Sequence, residues 1–310
     1  MSALAMQIVI ARLCADFGFR RAYFNEPDKT LGEFDLTREE IDSIKALDMP
    51  VVREYALSLV AKRTELIKKW FAMTFSYLET ALPQAEVNQL LHRYGVETYR
   101  DREELGGEWL RGESERFYEY LRGFAERGEV TAPYFSDFLE YEYAVFSMKN
   151  SPETYQSSAD YEKANEAEAP GLTPDLVRRS RPVIGRHARL RLFEHDVAEL
   201  VACLGEGRPL PAPAPSPTWV LFLRTPTAQT VIPSVISPPL KELIELCAGG
   251  LTTEEIVSDV ARRHASGDGF TEEELQNDCL DVLGQLYDMR VVTFLAGGAG
   301  ANDGRESATA

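Results

Sequence analysis

The chain has 310 residues, 44% hydrophobic and 27% charged, enough to build two ordinary domains with sizeable cores. Its 50 acidic residues against 33 Lys and Arg give a net charge of −17, which argues against a nucleic-acid partner, because phosphates must be met by cations. No basic n-region precedes a long apolar run and no stretch approaches a membrane span, so a cytoplasmic protein without membrane association is expected. The four cysteines, Cys14, Cys203, Cys247 and Cys279, lack metal-ligand spacing. Each falls in a helical apolar pattern, as small buried thiols of a reducing compartment do.

In chain order, Ala3 to Phe17 reads as a first helix ended by Gly18. Phe19 to Leu36 is aromatic and loop-like. Thr37 and Glu40 have the spacing of a capping box, with Ile41, Ile44 and Leu47 following on one helical face. Pro50 breaks the chain. Val51 to Leu82 reads as one long helix with Tyr55, Leu59, Leu66, Trp70, Met73 and Tyr77 as its apolar stripe. Shorter helices follow over Val87 to Tyr94, Trp109 to Arg127 and Tyr134 to Met148. Their aromatics read as core in preference to a cofactor pocket. Asp137, Glu140 and Glu142 make the last of these helices acidic, as a solvated face or as a contact for a partner.

Two resemblances attach to this half. Phe17 to Phe19 with Asp35 to Ile41 resembles the small helical subunit of protocatechuate 4,5-dioxygenase, which does not carry the metal of its enzyme. Arg63 to Leu82, Tyr94, Phe117 to Leu121 and Tyr134 to Tyr143 resemble the N-terminal domain of partner proteins of multinuclear non-haem iron oxidases. Together they imply a helical partner domain over residues 1–150.

Residues 151–182 are polar, acidic and rich in Ser, Ala, Glu and Pro, and read as a linker. Arg178, Arg179, Arg181, Arg186, Arg189 and Arg191 then crowd one short segment of an acidic chain. Arg186 to Phe193 alternates as a half-exposed strand, with Ala188, Leu190 and Leu192 on one side. Arg189 and Arg191 lie on the other, and with Arg186 they read as a solvated face or a docking surface for an acidic partner. Val197, Leu200, Val201 and Leu204 make a short helix, and Gly205 to Pro217 is a Pro-rich loop.

Trp219 to Arg224 and Thr230 to Ile236 read as strands. Leu240, Leu243, Ile244 and Cys247 share one helical face that Gly249 and Gly250 end. Capping boxes at Thr252/Glu255 and Thr271/Glu274 open two further helices, the second with Leu275, Cys279, Val282, Leu283 and Leu286 along one side. Arg290 to Phe294 closes as a strand, and residues 296–310 read as a disordered tail. The expected fold is α+β: an N-terminal helical bundle, then a winged helix-turn-helix over residues 183–295 with an antiparallel sheet.

Pro239 to Ile244, Ala248 to Val257 and Leu275 to Val291, in this order, resemble the leader-peptide-binding domain of ribosomal peptide modification systems, the RiPP recognition element. The resemblance implies a precursor leader docking as an extra strand beside Thr230 to Ile236 and against the third helix. It therefore implies peptide contacts at Gln229, Thr230, Val231, Ile232, Val235, Leu275, Cys279, Val282, Leu283 and Leu286. It further implies a non-catalytic partner of a heteromeric iron oxidase, the iron belonging to the oxidase.

No catalytic constellation stands out. His92, His187, His195 and His264 are scattered, without a two-His-one-carboxylate set close in sequence. No Gly-rich phosphate loop and no Gly-x-Ser-x-Gly elbow occurs. No cofactor and no metal is therefore expected in this chain. The alternatives are a winged-helix transcription regulator, whose third helix here carries Glu272, Glu273, Glu274, Asp278 and Asp281 against phosphate repulsion, and a non-catalytic subunit of a ring-cleaving dioxygenase.

Overall fold

The computed structural model describes residues 2–97, 109–151, 174–224, 230–265 and 271–295. Most of the expected linker (152–173), Gln229 and the tail (296–310) lie outside the described residues. The chain forms two compact units, Met1–Ser147 with Glu199–Pro213, and Met148–Ala198 with Ala214–Ala310. The fold is α+β, with helices dominant and strands gathered into small antiparallel sheets.

The first unit is helical. Helices α1 (Ser2–Ala15), α2 (Phe17–Asn25), α3 (Pro27–Leu31) and α4 (Arg38–Lys45) enclose Val9, Leu13, Phe19, Tyr23, Leu31 and Ile44. The segment read as a loop thus holds two short helices. Asp16 starts the first by accepting the Phe19 N–H at 2.9 Å, a cap that also overrides the stop expected at Gly18. The capping box at Thr37 forms, its hydroxyl and the Glu40 carboxylate each satisfying the other's backbone N–H.

Helices α5 (Met49–Trp70) and α6 (Ala72–Ala81) replace the expected single helix. Pro50 does not break the chain but sits in the first turn of α5, where a missing N–H costs nothing. The break is at Phe71, with φ −118° and ψ 46° and a fully buried ring. The first N–H groups of α6 are accepted by the Glu142 carboxylate of a distant helix, from Met73 at 2.8 Å and from Thr74 at 2.7 Å. Tyr55, placed in the buried stripe by spacing, is instead exposed, while Ala56, Ile67 and Phe71 turn inward.

Helices α7 (Gln84–Glu97), α8 (Trp109–Glu126) and α9 (Phe135–Lys149) complete the aromatic core around Phe117, whose ring lies 4.8 Å from Tyr94 and 5.2 Å from Phe71. The aromatics there are core, as expected. Helix α11 (Val197–Glu206) adds Leu200 to the same core, so the chain from Glu199 to Pro213, inside the range expected for the C-terminal domain, groups with this unit.

The second unit begins with α10 (Pro174–Arg179) and β1 (Arg181–Ile184), so Arg181 and Pro182 are strand and not linker. β1 pairs antiparallel with β5 (Val292–Leu295), Arg181 opposite Leu295 and Ile184 opposite Val292. A second, three-stranded antiparallel sheet has the order β2 (Ala188–Phe193), β3 (Thr218–Arg224), β4 (Val231–Ile236). Helices α12 (Pro238–Leu246), α13 (Thr253–His264) and α14 (Glu272–Asp288) follow, and both expected capping boxes form. Leu221 and Ile236 of the sheet, Leu243, Ile244 and Cys247 of α12, Ile256 and Val260 of α13, and Leu283 and Leu286 of α14 make one core. Gly249, at φ +79°, lets the α12–α13 turn close on β1. Its N–H donates to the Pro182 carbonyl at 2.9 Å, and a Cβ there would come within 2.7 Å of Val183.

Candidate functional site

The three-stranded sheet has two outer strands, and one backbone hydrogen bond settles what each presents. The Arg224 N–H donates to the His187 carbonyl at 2.8 Å. Backbone groups alternate along an antiparallel strand, so Phe222 and Val220 also aim theirs at β2, while Leu223, Leu221 and Trp219 aim theirs at β4. The β4 partners of those three are Ile232, Ser234 and Ile236, which pair inward. Val231, Pro233 and Val235 therefore turn their backbone groups outward. Pro233, which lacks an N–H, falls at an outward position where the ladder to β3 loses nothing. Among the described residues no strand pairs with the outer edge of β4, which offers two donors, from Val231 and Val235, and three carbonyl acceptors.

Cross-strand partners share a face. Ile232 lies opposite Leu223, on the face that Leu221 and Ile236 turn to the helical core, yet it is 47% exposed. Val235 is on the other face and 55% exposed. Val231 and Ile236, at the strand's two ends, are buried.

Beyond the end of β4, a groove of about 460 Å³ runs between α12, α13 and α14. Ser237, the residue after β4, stands at its margin, with Pro239, Leu240 and Leu243 of α12. Val260, Ala261 and His264 of α13 form its second wall. Leu275, Cys279, Val282 and Leu286 of α14 line its third. The structure thus brings four of the five expected α14 residues onto one apolar groove. Leu283 is not among them: it is fully buried in the core. Thr230, Val231, Ile232 and Val235 stand on β4 or just before it, not in the groove lining, and Gln229 lies outside the described residues.

Asp278 is the acid among the groove's lining residues, and Glu272, Glu273 and Glu274 occupy the first turn of α14, just before Leu275. Glu242 of α12 meets His264 at 3.0 Å and Arg263 at 2.6 Å, which hold its carboxyl below the ordinary value, His264 most strongly. Burial pushes the Cys279 thiol up, and the nearby Asp278 and Glu242 charges add to this. Cys279 is therefore a protonated, apolar wall group at neutral pH.

The α12 and α13 contributions to the groove carry no signal of their own in the sequence. The spacing of Leu240 and Leu243 was legible as a helical face, but spacing alone assigns such a face to core. Met289 at the groove's end is 50% exposed and is followed by Arg290 at φ 64°, a turn that no local motif announces.

Of the expected docking arginines, Arg186 and Arg191 are exposed and Arg189 is half-buried. Leu192 shares a face with Ala188 and Leu190, as the alternation has it, and is 53% exposed. The acidic residues of α9 are not a solvated face. Asp137 and Glu142 are buried, Glu142 at the α6 amides, and Glu140 accepts the Tyr118 hydroxyl. Among the described residues, no group of three or more His, Cys, Asp or Glu is placed to hold a metal ion, and no helix is long and apolar enough to cross a membrane. Compared with known proteins, the chain matches no family model and no curated protein.

Proposed function

We propose that this chain is a non-catalytic, cytoplasmic partner protein that captures the leader of a ribosomally made precursor peptide and presents the core to a multinuclear non-haem iron oxidase. In this reading the second unit is a winged helix-turn-helix. The leader adds a strand to the open edge of β4 and sets apolar side chains in the groove along α14. The iron is the oxidase's, and this chain supplies recognition.

The observation that carries the reading is the edge of β4. Its outward donors and acceptors are the backbone half of a strand-addition site, and alternate side chains give such a site its selectivity. The apolar groove beginning at Ser237 offers pockets for those side chains. Asp278 in the lining and the acidic first turn of α14 favour a leader with basic residues beside its apolar anchors.

The test is leader affinity, measured by fluorescence polarisation with a labelled candidate leader peptide carrying apolar anchors and basic residues. Val231→Pro removes an outward donor and keeps the ladder to β3. Leu275→Glu places a charge in the groove. Each is expected to weaken binding by roughly 1–3 kcal/mol with an unchanged circular dichroism spectrum. Leu190→Pro, on the opposite edge, should leave affinity alone. Unchanged affinity in both β4 and groove variants would move the peptide elsewhere, and failure of the chain to co-purify with the oxidase, with and without peptide, would count against the partnership.

A further inference from the structure

The helical unit has a pocket of its own, of about 340 Å³, unrelated to the peptide site. Arg20 and Arg21 of α2, Arg53 of α5 and His92 of α7 converge on it, and no carboxylate is among its lining residues. In a chain with 50 acidic residues and a net charge of −17, that is a strong local inversion of sign. Phe17, Phe24 and Leu57 supply an apolar wall and are 42%, 53% and 49% exposed.

The local fold places these groups. Arg20 is held by the end of α1, donating to the carbonyls of Leu13 at 2.7 Å and Cys14 at 3.1 Å. Those carbonyls engage one terminal nitrogen of its guanidinium, which leaves the other donors of the fork for the pocket. Asp16, whose charge acts on Arg20, is itself engaged by Arg12 at 3.1 Å and by the Phe19 N–H. Gly95 lets α7 lie close to α5, since a Cβ there would come within 2.5 Å of Val60. One turn earlier on α7, His92 thereby joins the pocket. Burial lowers the pKa of Arg20, and Arg53 pushes it the same way against Cys14 and Asp16. Arg20 and Arg53 line the same pocket, where an anion between them would offset their like charges.

We propose that this pocket binds an organic phosphate monoester. Guanidinium forks match phosphate oxygens in pairs, and three of them exceed what the two oxygens and single charge of a carboxylate can use. A phosphate monoester brings three terminal oxygens and nearly two charges. The phenylalanine wall accounts for an apolar body on the ester, and the volume suits a small ligand.

Isothermal titration of the full chain with phenyl phosphate, inorganic phosphate and benzoate tests this. Phenyl phosphate is expected to bind more tightly than either of the others. Arg21 and Arg53 are exposed, so the double variant Arg21→Gln/Arg53→Gln should fold, as circular dichroism would show, and lose about tenfold or more in affinity. Phe24→Ala should weaken phenyl phosphate and leave inorganic phosphate unchanged. The proposal is overturned by no phenyl phosphate binding at millimolar concentration, by equal affinity in the double variant, or by benzoate binding as tightly as phenyl phosphate.

Discussion

Leu275 and Leu283 lie two turns apart on α14 and were indistinguishable by spacing, yet the structure gives them different work. Leu283 is fully buried among Leu243, Ile256 and Leu286, whereas Leu275 is half-buried and lines the open groove. Leu283→Ala removes three carbons from a closed core and leaves a cavity, a change that costs about 2–5 kcal/mol. Leu275→Ala widens a groove already open to water, so only part of the transfer free energy is lost, about 1 kcal/mol or less. The two units need not unfold together, so a global denaturation midpoint is a poor readout. Hydrogen exchange measured on peptides of α13 and β3 reads the second unit alone. Leu283→Ala should speed exchange there by about thirtyfold or more, and Leu275→Ala by less than about fivefold. In the same two proteins leader affinity should fall for Leu275→Ala and hold for the folded fraction of Leu283→Ala. If Leu275→Ala exchanges as fast as Leu283→Ala, the groove is simply core and the peptide assignment to α14 fails.

Glu142→Ala should destabilise the helical unit by about 1–3 kcal/mol, because the Met73 and Thr74 amides lose their acceptor, while Glu142→Gln should cost less, since the amide oxygen still accepts and burial already raises the carboxyl's pKa; thermal unfolding of the two variants compares them. Glu113 titrates the other way. Burial raises its carboxyl, but Arg63, Arg116 and Tyr94 more than offset this and hold it below the ordinary value. Its folded pKa is therefore depressed, so the stability it contributes is present above the unfolded value of about 4.3 and is lost as pH falls below it. Acid unfolding of Glu113→Gln should show a shallower pH slope below about pH 4.3 than the wild type, with a lower plateau at neutral pH.

What the sequence made legible was local. The boxes at Thr37, Thr252 and Thr271 need only residues three apart, and all three form. The apolar side of α14 follows from a 3.6-residue period. The break at Phe71 has no such signature: neither Pro nor Gly stands there, and the carboxylate that receives the freed amides comes from Glu142, about seventy residues on. Pro182 read as linker because its strand partner is Phe294, more than a hundred residues away. Asp137 and Glu142 read as solvated because charge on a helix usually is, and only tertiary hydrogen bonding overrides that prior. For the site, the pattern identified the α14 face and the β4 strand. Which leucine faces groove and which faces core depends on where α12 and α13 lie, and periodicity within one helix does not encode it.

The two edges of the sheet are not equivalent, and the difference bears on why β4 is the one read as open to a peptide. On β2 the outward positions are Ala188, Leu190 and Leu192, and the Ala188 N–H is already taken by the Gly185 carbonyl at 3.0 Å. Arg189 and Arg191 put charge along that strand, a common guard against unwanted pairing. β4 has no charged residue from Val231 to Ile236, and its guard is Pro233 alone. That guard is selective. Two copies of β4 paired about Pro233 would each lack the central donor, so two backbone bonds would be missing. A peptide with an ordinary residue opposite Pro233 loses one, because its own N–H still reaches the Pro233 carbonyl. At about 0.5–1.5 kcal/mol for each bond, self-pairing is penalised by that amount relative to peptide capture. The same proline that disfavours pairing between two copies of β4 would therefore leave most of the edge's backbone bonds to the proposed leader strand.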